Sequence, residues 1–137
     1  MKNILPDNYR KIGRIKYSIY KQCYVKSADI YISENQIKHI ENKHGNELAK
    51  VGMSALEFIT MVCNQFNQIR ETRDGVILVI YNENLSYTAI IELQYLGDKD
   101  FWEVKTAGPR RTPTVEKKVL IWEAAKHTSN GNRNRSN

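Results

Sequence analysis

The stretch that most restricts the fold runs from Val76 to Ala107, where VILVIY, YTAIIELQYL and FWEVKTA follow one another with only NENLS and GDKD between them. The three runs are rich in β-branched and aromatic residues, and the linkers are short and turn-like, so they predict three consecutive strands in an antiparallel meander. A sheet of this kind must cover one face. The elements able to cover it flank it in the sequence.

Upstream, SENQIKHIENKHG carries Ser33 and Gln36 at capping-box spacing and a glycine suited to ending a helix, which predicts a short helix over residues 34–44. A second capping box, Ser54 with Glu57, opens SALEFITMVCNQFNQIRE, in which Ile59, Val62, Cys63, Phe66 and Ile69 recur at helical spacing. Residues before Ile32 alternate irregularly and predict one or two strands ending there. Downstream, Thr112 and Pro113 form an N-cap and first-turn pair, and TVEKKVLIWEAAK places Val115, Val119 and Trp122 on one face of an expected C-terminal helix. The fold class is therefore α+β: N-terminal helices packed on an antiparallel meander, with a C-terminal helix packed back onto it. The 137 residues suit one domain. It is placed at 11–127, with a flexible N-terminus over 1–10 and a polar, disordered tail over 128–137.

Lys and Arg total 21 against 15 Asp and Glu, a formal net charge of +6, which favours polyanionic partners over acidic ones. Cys23 and Cys63 lie too far apart for a CxxC metal or redox motif, and Cys63 falls in an apolar helical run. No apolar stretch suits a signal peptide or a membrane span, so the chain is read as cytoplasmic, without a membrane partner.

Two stretches carry candidate chemistry. On the helix over 34–44, His39 and His44 are about 140° apart at 100° per residue, so they cannot grip one ion together, and no metal site is expected. His39 shares a face with Lys43, whereas His44 projects between Ile37 and Ile40 toward whatever the helix packs on. Taken singly, these residues read as a half-buried histidine and a solvated face. Taken as a group, they can move protons and hold a phosphate. The other stretch is FWEVKTAGPRRTPT. Simple alternation puts Trp102, Val104 and Thr106 on the helix-facing side. Gly108 and Pro109 then turn the chain, and Arg110 and Arg111 stand before a helix N-terminus, as surface decoration or as an anion clamp. Adjacent turn residues seldom share a direction, which predicts one clamp and one bystander. Tyr87 and Tyr95 on the meander are candidates to stack on bases, although strand tyrosines more often pack.

His, Lys, Thr and Arg suffice to cleave RNA without metal or cofactor: a base takes the ribose 2′-hydroxyl proton and cations neutralise the phosphorane. DNA lacks that internal nucleophile. The alternative is a basic nucleic-acid-binding module with no catalysis.

The H-I-x-x-K-H signature of residues 39–44, a long helix, and a meander ending W-E-V-K-T-A-G-P-R-R together resemble the Barnase-EndoU-colicin-RelE nuclease superfamily, in its phage and contact-dependent-toxin branch. The resemblance spans roughly residues 29–125. It implies a small α+β, metal-independent endoribonuclease with no cofactor, RNA as substrate with transfer RNA a candidate, and a cognate immunity or inhibitor protein as partner. Mapped onto this chain, it marks His39, Lys43 and His44 with Thr106, Arg110 and Arg111 as catalytic candidates. Lys105, Thr112, Tyr87 and Tyr95 are the candidate substrate contacts.

Overall fold

The computed structural model describes Leu5, residues 7–97 and residues 99–125. Strand β1 (Tyr9–Ile15) leads through a short helix α1 (Tyr17–Cys23) to β2 (Ala28–Ser33), and two longer helices follow, α2 (Glu34–Lys50) and α3 (Ala55–Gln65). Then come β3 (Gln68–Glu71), β4 (Val76–Ile80), β5 (Leu85–Leu96), β6 (Lys99–Arg111), α4 (Thr112–Glu116) and β7 (Leu120–Glu123). The seven strands form one sheet in the order β1-β2-β6-β5-β4-β3-β7. The expected meander is its centre, β4-β5-β6. The sheet is mixed rather than antiparallel throughout, because β2 lies parallel to β6 through Ile30↔Trp102 and Tyr31↔Glu103.

Helix α2 begins where its cap predicts, with the Ser33 side chain accepting a hydrogen bond from the Gln36 amide at 3.1 Å. It does not stop at Gly45 but runs to Lys50. A glycine inside a helix costs about 1 kcal/mol, and the extra turn buries Leu48 completely, which is worth about 2 kcal/mol. The left-handed glycine that ends the helix is Gly52, at φ 75°. Helix α3 forms the full Ser54–Glu57 capping box and buries Phe58, Ile59, Val62 and Cys63.

Three more expectations fail at the ends of elements. Ile69, read as the last residue of the helical face, belongs to β3, where it pairs with Leu78 and Trp122. The C-terminal helix shrinks to Thr112–Glu116, and the following residues form β7 along β3. Buried Arg70 explains the exchange, since it donates to the Lys118 carbonyl at 2.8 Å and to Gln68 at 3.0 Å, while Gln68 donates to Glu123 at 2.9 Å. Those groups are satisfied only if residues 118–123 lie extended against β3. Tyr9 and Arg10, expected in the loose N-terminus, open β1. The tail at 128–137 lies outside the described residues.

The main core fills the space between the sheet and α2 and α3, around Ile30, Ile32, Ile40, Phe58, Ile91 and Val104. A smaller cluster of Ile77, Val79 and Val115 lies under α4 on the opposite face. Gly75, which ends the β3–β4 turn, is dictated by space, since a Cβ there would come 2.1 Å from the Ile91 carbonyl oxygen.

Candidate functional site

Strand β6 does not end at Gly108. It continues through Pro109 to Arg111, paired residue for residue with β5 as far as Leu85↔Arg111. The expected turn is absent, and both arginines sit on a strand. Proline is tolerated there because β2 leaves the sheet into α2 at Glu34, having paired with β6 only near Trp102 and Glu103, so the far half of β6 has an open edge.

A bulge at Lys105 also changes which way the strand faces. Ile90 opposes Thr106 while Ile91 opposes Val104, so Lys105 is the extra residue. Trp102, Val104 and then Ala107 belong to the main core, which removes Thr106 from the face that simple alternation assigned to it. Its partner Ile90 packs on the smaller cluster.

Helix α2 runs beside the open edge of β6. Its Gln36 side chain donates to the carbonyl of bulged Lys105, and Ile40 and Leu48 are fully buried. Between those two anchors, Lys43 and His44 face Thr106, Ala107, Gly108, Pro109 and Arg110 across a cleft of about 330 Å³. As its angular position on α2 predicts, His44 points inward, and its side chain is 22% exposed. The ring lies against Gly108: a Cβ at that position would sit 3.5 Å from its Cγ and Nδ1. Nδ1 is 2.7 Å from the Glu47 carboxylate. That contact fixes the proton on Nδ1 and leaves Nε2 as the nitrogen available to a ligand.

The structure thus brings together Lys43, His44, Thr106 and Arg110. No ion pair among the described residues engages Lys43 or Arg110, so both cations face the cleft without a protein counter-charge. His39 is exposed on α2 and is not part of the cleft wall. Arg111 is exposed, at the start of α4, which makes Arg110 the inward residue of the pair.

The expected substrate contacts lie elsewhere. Lys105 bonds Glu103 at 3.2 Å. Thr112 is buried, bonded to Asn82 and Ser86, and Tyr87 packs edge-on against Phe58 at 5.4 Å. Tyr95 is exposed at the opposite end of β6, paired with Asp100. Glu47 escaped sequence reasoning because a helix ending at residue 44 excludes it; the i,i+3 spacing from His44 is its only sequence signal.

Comparisons of the chain with protein-family models, with curated proteins and with solved structures find no significant match. Among the described residues no cluster of His, Cys, Asp and Glu has metal-site geometry, and no helix is long and apolar enough to cross a membrane.

Proposed function

We propose that the cleft between α2 and the open edge of β6 is the active site of a metal-independent endoribonuclease, of the kind found in the Barnase-EndoU-colicin-RelE superfamily that the two motifs resemble. The observation that carries the reading is the convergence of an oriented imidazole, His44, with two unneutralised cations, Lys43 and Arg110, around one cleft. Nε2 of His44 accepts the proton of the ribose 2′-hydroxyl as that oxygen attacks phosphorus. The bond from phosphorus to the 5′-oxygen breaks, the leaving oxygen takes a proton from Lys43, and a 2′,3′-cyclic phosphate remains. Arg110 spans the non-bridging oxygens, and Thr106 donates a further hydrogen bond. His39 has no role in this scheme.

The test is cleavage of total RNA by purified protein in the presence of chelator. His44→Ala lowers the rate about 10²–10⁴-fold and Arg110→Ala about 10²-fold, while His39→Ala stays within a few-fold of wild type. RNA that is bound but never cut, or a His44→Ala variant as active as wild type, refutes the reading. The second reading, a nucleic-acid-binding module without catalysis, is favoured by the single imidazole that lines the cleft among the described residues; bound, intact RNA is its signature.

A further inference from the structure

The two edge strands of the sheet, β1 and β7, line one cleft, and helix α1, which follows β1 in the chain, also touches β7. The Trp122 indole on β7 donates to the Gln22 side chain of α1 at 2.9 Å. The sheet therefore curls toward closure and leaves an open seam. In that seam lies a cleft of about 520 Å³, larger than the one beside His44, whose walls include Lys11, Arg14, Lys16, Asn64, Phe66 and Trp122. Its volume is that of a small-ligand site.

The chemistry of the walls is divided. On the β1 side stand three cations. Lys11 and Arg14 share one carboxylate, Asp29, at 3.3 and 2.8 Å, and no ion pair among the described residues engages Lys16. Three positive charges against one negative leave a surplus of two, facing a cleft whose walls carry no acid. On the opposite side, half-buried Trp122 is held edge-on to Phe66, with ring centroids 5.8 Å apart, and its N–H is fixed by Gln22. An indole locked in place beside a cleft offers a stacking surface at little entropic cost. Asn64 spends its amide N–H groups on the Ile12 and Thr60 carbonyls, both at 2.7 Å, and its side-chain oxygen accepts no hydrogen bond within the described protein.

We propose that this seam binds a nucleoside phosphate, the base stacked on Trp122 with Phe66 beside it and the phosphate held by Arg14 and Lys16. A phosphate matches the surplus charge, and walls divided into cations and aromatic rings match a nucleotide's division into anion and flat ring. The ligand chemistry is shared by a free mononucleotide and by one unit of a nucleic-acid chain. The site does not depend on the chemistry proposed for the cleft at His44.

Tryptophan emission reads the site directly. Trp102 is buried, with its indole bonded to the Lys26 carbonyl, so a ligand in the seam quenches Trp122. Wild-type protein is titrated with adenosine 5′-monophosphate, uridine 5′-monophosphate, adenosine, inorganic phosphate and a DNA decamer, which lacks the 2′-hydroxyl. The expected result is quenching by a monophosphate, by the decamer, or by both, and not by adenosine or phosphate alone at the same concentration. Response to the monophosphates identifies a free nucleotide, and response to the decamer alone identifies a chain. Lys16→Glu, at an exposed position, weakens binding tenfold or more, and Lys16→Gln weakens it less. His44→Ala leaves binding unchanged. The proposal is overturned if neither a monophosphate nor the decamer quenches, if adenosine binds as tightly as its monophosphate, or if Lys16→Glu binds as wild type does.

Discussion

Replacing Thr112 with valine exchanges a hydroxyl for a methyl of nearly equal size at a position that is 1% exposed. The hydroxyl donates to the Asn82 carbonyl at 2.5 Å and lies 2.7 Å from the buried Ser86 hydroxyl, so it ties the start of α4 to the β4–β5 connection. Two buried hydrogen bonds are lost at about 1 kcal/mol each. Without Thr112, the Ser86 hydroxyl is free to turn its single proton to the Asn82 carbonyl, 3.3 Å away, which limits the added penalty for a stranded acceptor. The total is about 2–3 kcal/mol. With an unfolding entropy of roughly 2.1 cal/mol/K for each of roughly 120 ordered residues, each kcal/mol moves the midpoint by about 4 °C, and Thr112→Val should melt about 8–12 °C below wild type. Thr112→Ser keeps the hydroxyl and gives up one buried methyl, a loss of about 1 kcal/mol or about 4 °C. Exposed Thr114→Val should stay within about 2 °C. Thermal unfolding followed by circular dichroism measures all three. A Thr112→Val variant melting with wild type would return Thr112 to the substrate contacts and refute its structural assignment.

Two further outcomes follow from groups whose ionisation the fold perturbs. Burial opposes ionisation of Asp29, but its hydrogen bonds and charge contacts with Arg14 and Lys11 outweigh that and hold its pKa below the ordinary value. Its contribution is then present above the ordinary carboxylate pKa of about 4 and is lost as pH falls through the lower folded value. Asp29→Asn should accordingly melt below wild type at pH 7, with the gap closing as pH falls through the lowered folded value; a gap of constant size from pH 7 into strong acid contradicts the ion-pair account. Burial pushes the Cys63 thiol up to about 12, so at pH 8 roughly one molecule in 10⁴ carries the thiolate. An aromatic disulfide reagent should label Cys23 first and reach Cys63 only on unfolding, and rapid labelling of both thiols in native protein contradicts the burial.

Much of this fold was legible wherever a local pattern coincided with a local cause. Ser33 and Ser54 cap helices because a serine hydroxyl satisfies a free amide wherever the chain turns helical. Likewise His44 faces inward because its angle on α2 lies between those of Ile37 and Ile40. Those arguments needed no distant partner. The failures all involve one. Gly45 lies inside a helix because Leu48 has a core to enter; residues 120–123 are a strand because buried Arg70 requires an extended neighbour. The candidate site shows the same division. Lys43, His44, Thr106 and one arginine were identifiable as residues able to handle a phosphate, but their contact arises from β2 leaving the sheet early and α2 filling the space beside β6. His39 and Thr112 had equally suitable chemistry and lie elsewhere.

Sequence alone determined the α+β class, the central meander, the two capped helices and the inward direction of His44. All of these rest on interactions within a few residues, where periodicity and capping act. Tertiary structure decided that Glu47 orients His44, that the Lys105 bulge reverses the expected face of Thr106, that Arg110 rather than Arg111 turns inward, and that the curled sheet leaves a basic and aromatic seam. These depend on which strand edge is left open and which buried polar group needs a partner, and a bulge or an unpaired edge is settled only when strands far apart in the chain compete for the same hydrogen bonds.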